Sequence, residues 1–204
     1  FSSYSKQAAK AELGLPLDKP LVVSVWGSLG AENMNEVMCR FIELAGKKPG
    51  FTLIHSAGIE GYEKMVEHLR RTVPDYEKNG MDVREYIYDM PRVMAAADLV
   101  LCRAGASTIS ELTYMHKPTI FVPSPFVTNN HQFKNAKVVE DAGGALIFEE
   151  GWFEPKELLK AVNDILSSDD KLEKMSAAMA KLAKPEATDM ICDRIFSLLA
   201  ENRK

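Results

Sequence analysis

Six short apolar runs, each separated from the next by a polar stretch with helical spacing, limit what this chain can fold into. They fall at residues 21–26, 51–55, 81–87, 99–102, 119–122 and 145–148. Most are near-continuous, as strands buried on both faces are; 81–87 alternates instead. The stretches between them read as helices. The first covers 5–13 and is closed by Gly14 and Pro16, and another ends near Ala45. Further helices span about 61–72, 91–97 with Pro91 at its tolerated first position, 107–115, and a segment ending near Asp141. Three closing helices start near Pro155, Asp169 and Pro185. Strands alternating with helices imply right-handed crossovers and a largely parallel sheet. The expected fold is therefore α/β: one Rossmann-like parallel sheet flanked by helices. Ligands of such sheets sit at the carboxyl ends of the strands, near the switch in strand order.

Composition narrows the function. A formal net charge of -4 over 204 residues argues against nucleic acid as a partner. No apolar run approaches the roughly 20 residues that span a bilayer, and no signal peptide opens the sequence. The cysteines Cys39, Cys102 and Cys192 are far apart and odd in number, which fits reduced, buried thiols better than disulfides or a metal site. The opening Phe1-Ser2-Ser3-Tyr4-Ser5 has no initiator methionine and is expected to mark a fragment of a longer protein.

The densest chemistry lies in Cys102-Arg103-Ala104-Gly105-Ala106-Ser107-Thr108-Ile109-Ser110-Glu111. An apolar run ends in a small-residue loop that opens a helix. Small residues admit a ligand close to the backbone, and the free N–H groups and dipole at the helix start favour an anion. A carboxylate one turn on, Glu111, can accept two hydrogen bonds from a vicinal diol such as a ribose. Gly27-Ser28-Leu29-Gly30-Ala31 after the first strand is either a second phosphate loop or a tight turn; its spacing matches neither a dinucleotide fingerprint nor a P-loop. Exposed backbone around Glu85-Tyr86-Ile87-Tyr88-Asp89-Met90 can read the edge of a planar base, or is an ordinary strand end. In the 123–135 segment, Gln132 and Asn135 share a helix face and suit sugar hydroxyls. His131 there is a general base, or a hydrogen-bonding or capping residue. His55, His68 and His116 fall singly and do not read as metal ligands, and no cofactor is expected. Met175 and Met179 have helical spacing and read as core filler.

In this order, these loops resemble the C-terminal domain of the MurG family, bacterial GlcNAc transferases acting on undecaprenyl-pyrophosphoryl-MurNAc-pentapeptide. The resemblance covers nearly the whole chain and implies one half of a two-domain GT-B glycosyltransferase. Residues 1–18 would then be linker and first helix, and 19–204 the UDP-GlcNAc-binding domain, with the N-terminal acceptor domain absent. It further implies that Ser28 contacts the donor phosphates and that Ile87 meets uracil through its backbone. Ala106, Ser107 and Thr108 would hold phosphate, Glu111 the ribose hydroxyls, and Gln132 with Asn135 the GlcNAc hydroxyls. Arg103 either neutralises diphosphate charge or braces its loop. One departure stands out: Trp26 replaces the usual glycine before Gly27-Ser28, where an indole could narrow the phosphate loop.

The family's reaction is inverting transfer of GlcNAc from UDP-GlcNAc to lipid-linked MurNAc (lipid I to lipid II) in peptidoglycan synthesis, serving cell wall biogenesis, cell division and cell shape. The full-length protein is accordingly expected to be a hexosyltransferase, peripheral on the cytoplasmic face of the membrane. It would meet lipid I and the membrane only through the missing domain. The base is expected there too, so no catalytic residue is assigned in this chain. The isolated fragment is expected to be soluble and inactive. Alternatives are a free-standing UDP-GlcNAc transferase subunit with a separate membrane partner, or a UDP-GlcNAc 2-epimerase-like enzyme.

Overall fold

The computed structural model describes residues 4–47 and 49–201. The expected boundary at Phe1 lies outside them. Lys6–Glu12 forms α1, and the Ser5 hydroxyl accepts the Ala8 N–H at its start. There follow β1 (Leu21–Val25), α2 (Glu32–Ala45), β2 (Thr52–Ser56), α3 (Tyr62–Thr72), β3 (Met81–Arg84), α4 (Met90–Ala96), β4 (Leu99–Cys102), α5 (Ala106–Tyr114) and β5 (Thr119–Phe121). A 3-10 turn, Thr128–Asn130, leads into α6 (His131–Asp141), then β6 (Ala145–Ile147), α7 (Pro155–Leu166), α8 (Asp169–Leu182) and α9 (Ala187–Glu201).

All six strands pair in parallel, in the order β3-β2-β1-β4-β5-β6. The order reverses between β1 and β4, where Val25 lies opposite Cys102. Both strands therefore leave the sheet side by side, which is where a doubly wound sheet opens a ligand crevice. Alternate strand residues feed two cores. Val22, Leu53, Leu101 and Ile120 meet Met38, Phe41, Leu69 and Val162 from α2, α3 and α7. On the other face Val23, Ile54, Val100 and Phe121 meet Ala9, Val93, Leu112, Val139 and Met179 from α1, α4, α5, α6 and α8. Burial on both faces explains the near-continuous apolar runs.

Differences from the sequence reading have local causes. The third strand stops at Arg84 instead of Ile87, because β3 is an edge strand paired with β2 alone and β2 ends at the partner residue Ser56. Residues 86–87 thus leave the ladder. Cys39 and Cys102 are buried, but Cys192 is exposed on α9, so the expectation of three buried thiols holds for two. That helix also exposes Ile191, Ile195 and Phe196.

Two glycines let the first two crossover loops interlock. A Cβ on Gly30 would lie 2.1 Å from the Ala57 carbonyl oxygen, and one on Gly58 would lie 2.1 Å from that of Leu29. Both residues have positive φ, +79° and +80°, which L side chains rarely adopt. Under this contact runs a buried polar chain. His55 on β2 meets the Ser24 hydroxyl at 3.0 Å and Asn35 Oδ1 at 3.1 Å, while Asn35 Nδ2 donates to the Ala57 carbonyl at 2.8 Å. With Asn35 Oδ1 as acceptor, His55 is the Nε2–H tautomer and Ser24 donates to Nδ1. Burial pushes its pKa down to about 3, so the ring is neutral at physiological pH.

The opposite end of the sheet is closed by charge. Asp98 accepts from Lys6, from Lys10 and from the Leu21 N–H. Burial raises its pKa, but these three donors outweigh that and hold the carboxyl below the usual range. Through this contact α1 is tied onto the sheet.

Candidate functional site

The loops at the carboxyl ends of the strands surround a cleft of about 720 Å³. Of the residues singled out from the sequence, Ser28, Ile87, Arg103, Thr108, Glu111 and Gln132 line it together. They come from four separate crossovers, and the sheet's switch point brings them to one place.

Two helix starts open onto the cleft. At α2 the N-cap is Ala31 and at α5 it is Gly105; neither start has a side-chain cap. Their first N–H groups are thus left for a ligand or water. Ala31, Glu32 and Asn33 line one side of the cleft, and Gly105 and Thr108 the other. Two partial positive ends converging on one cavity make a site for a doubly charged anion such as a diphosphate. Ala106 and Ser107 are exposed in the first turn of α5, where their contribution is backbone N–H. Glu111 is exposed one turn further on and reaches the same cavity. The apolar wall is Ile87, Met90 and Met94, with Tyr86 at its rim. Ile87 is 2% exposed, so what this position offers a ligand is chiefly backbone, outside any strand or helix. A flat base fits such a wall.

The β5–α6 loop is held in a defined shape. Asn129 and Asn130 both take the left-handed conformation, φ 54° and 50°, which asparagine tolerates better than most residues. Gln132 Oε1 accepts the Ser124 N–H at 2.9 Å, which leaves its amide N–H groups as the free end. His131 Nδ1 donates to the Thr128 carbonyl at 2.9 Å, and the residue is not among those lining the cleft. This geometry is that of a hydrogen-bonding residue that braces the turn before α6, whose own N-cap is Asn130. Asn135 stands behind the cleft, where its Nδ2 donates to the Ala104 carbonyl at 3.3 Å and so ties α6 to the loop before α5.

Arg103 is committed to the protein. Its Nη1 donates to the Val122 carbonyl at 2.9 Å, pairs with Glu150 Oε2 at 2.5 Å, and its guanidinium lies 5.8 Å from the centre of the Trp26 ring. Of the two roles considered, bracing is the one the contacts describe. Trp26 itself is 3% exposed and packs in the core beneath the cleft. Its ring therefore leaves Gly27 and Ser28 exposed and does not cover the 27–31 loop. Glu150 and Asn33 were not picked out from the sequence. The available signal for Glu150 was its place: it follows β6 as Arg103 follows β4.

This arrangement has known relatives. Residues 21–191 match the glycosyltransferase family 28 C-terminal domain. The chain belongs to that family. Its relatives include the UDP-N-acetylglucosamine--N-acetylmuramyl-(pentapeptide) pyrophosphoryl-undecaprenol N-acetylglucosamine transferases of Acetivibrio thermocellus and Caldicellulosiruptor saccharolyticus. The first is 36% identical over 195 residues, 96% of this chain and 52% of the relative. The second is 40% identical over 190 residues, 93% of this chain and 50% of the relative. Among solved structures, Acinetobacter baumannii MurG superposes with a TM-score of 0.77 at 27% identity, covering 96% of this chain and 54% of that one. The family 28 fold, a six-stranded parallel sheet between helices and one half of a GT-B enzyme, is thus the fold of this chain. It spans about half the length of the curated relatives it matches.

Proposed function

We propose that the cleft binds UDP-GlcNAc as the donor site of an inverting glycosyltransferase, and that residues 19–204 are its donor domain. The observation that carries this reading is the pair of uncapped helix starts, α2 and α5, opening onto one cavity with Glu111 a turn further along α5. Uracil lies against Ile87 and Met90, and its edge is read by the backbone at 86–88. The ribose diol donates to Glu111. The diphosphate spans the N–H groups of the two helix starts, assisted by the Ser28 and Thr108 hydroxyls. GlcNAc extends toward the amide N–H groups of Gln132.

The relatives' names supply the acceptor, a MurNAc-pentapeptide carried on undecaprenyl pyrophosphate. In the proposed reaction an acceptor hydroxyl attacks the anomeric carbon from the face opposite the diphosphate. The carbon–oxygen bond to UDP breaks with inversion, and a base takes the hydroxyl proton. This chain's part is to stabilise the departing diphosphate through fixed N–H dipoles, which need not reorganise as negative charge develops. The base, the acceptor groove and the membrane contact belong to the remainder of the full-length protein, working at the cytoplasmic face of the membrane. Among the described residues, no helix is long and apolar enough to cross a membrane.

Calorimetric titration of UDP into the chain and into a Glu111→Ala variant tests the reading. Saturable binding that weakens in the variant supports it. Equal affinity in both removes Glu111 from the ribose, and absence of binding to the unmodified chain removes the site.

A further inference from the structure

Five segments meet at the carboxyl edge of the sheet around a single carboxylate that the donor-site reading does not use. Glu150, on the loop after β6, has its side chain 9% exposed although it lies at the mouth of the cleft. Its Oε1 accepts from Asn33 Nδ2 at 3.1 Å, in the first turn of α2. Its Oε2 lies 2.5 Å from Arg103 Nη1, just before α5. Arg103 in turn donates to the Val122 carbonyl after β5, and its guanidinium lies over the Trp26 ring after β1 at 5.8 Å from the centroid. One side chain therefore contacts both segments that carry the converging helix starts.

We propose that Glu150 is a positioning residue that sets the spacing between the α2 and α5 starts, and through it the affinity for a diphosphate; this rests on the donor-site reading above. Two considerations support it. A carboxylate beside an anion site opposes binding unless its charge is neutralised, and Arg103 neutralises it here. Moreover, α2 and α5 are separate helices on opposite faces of the sheet, packed into different cores. The β1–β4 pairing joins their strands only as far as Val25 and Cys102. Beyond that point, the Glu150 contacts and the Trp26–Arg103 cation–ring contact link the two loops. Convergent donors must be held to within a fraction of an ångström to act together, so loosening this link spreads the diphosphate contacts while leaving the uracil wall intact.

The test compares UDP with uridine, which keeps the base and ribose and lacks the diphosphate. In Glu150→Ala, UDP affinity should fall about tenfold, the scale of one charge-assisted N–H contact to the diphosphate lost as the helix starts spread, while uridine affinity stays unchanged. Glu150→Gln should recover most of the loss, because its oxygen can face Arg103 and its amide can donate to a flipped Asn33. Asn33→Ala removes one arm from an exposed residue without burying a charge, and should weaken UDP selectively by a smaller factor. Trp26 reports on its contact with Arg103 independently of any ligand. In a Trp152→Phe background it is the sole tryptophan, and its emission should change in Glu150→Ala and return in Glu150→Gln. Equal weakening of UDP and uridine, no weakening, or no rescue by glutamine would overturn the positioning role. If the unmodified chain binds neither ligand, the donor-site reading fails and the proposal with it; a Trp26 change seen in that case still locates the brace but gives it no role in binding.

Discussion

Glu111 stands one turn into α5 with its carboxylate exposed to the cleft, and the donor-site reading gives it a vicinal diol to accept from. A charged hydrogen bond is worth about 1.5–3 kcal/mol, so Glu111→Ala should weaken UDP by roughly ten- to a hundredfold, measured by calorimetry. Because the side chain is exposed, its loss should leave the unfolding midpoint nearly unmoved. At this scale the sequence was informative wherever residue type and function coincide. Ser28, Thr108 and Glu111 stood out around helix starts, and the structure brings all three to one cleft. The sequence was silent where function depends on what a side chain already touches. Arg103 is a cation in an anion-binding loop, and only its contacts with Val122, Glu150 and Trp26 show that it is spent on bracing. Asn135 shares a helix face with Gln132 as expected, yet its amide is turned to Ala104. Glu150 pairs with residues 47 and 117 positions away, and no local pattern records such a partner.

Among the elements, the polar chain of Ser24, His55 and Asn35 joins β1, β2 and α2 beneath the loop that would hold phosphate. Burial takes His55 from the ordinary 6.5 down to about 3. Between those values the unfolded chain binds a proton that the folded chain does not. Stability contributed by the neutral ring is therefore fully present above about pH 6.5 and is lost as the pH falls toward 3. His55→Gln keeps a side chain able to bond Ser24 and Asn35 but cannot titrate. Its unfolding free energy from urea denaturation should vary less with pH in that window; the same slope as the unmodified chain would show that His55 is not the group responsible. Periodicity located each strand and helix because burial on two faces writes continuous apolar runs. It overextended β3, since alternation persists in 85–87 after the neighbouring strand has ended. His55 looked like a lone histidine because its partners lie on other elements.

For the molecule as a whole, the fold and family are settled, and the proposed reaction is one shared with residues outside this chain. On the proposed reading the sheet's switch point, two helix starts and a base-sized apolar wall make the donor site, and nothing in the cleft is assigned as the base for an acceptor hydroxyl. With a lipid I analogue and UDP-GlcNAc, this chain alone should therefore give little or no transfer in a product assay, and robust turnover would show that it holds the acceptor machinery as well. The central claim, that the cleft is where UDP binds, is tested most directly by backbone amide NMR during a UDP titration. Shifts should concentrate at residues 27–31, 86–88 and 104–111, with the Asp98 and Lys10 end of the sheet silent. Shifts mapping instead to residues of α2 and α3 away from the cleft, or none at saturating UDP, would contradict it.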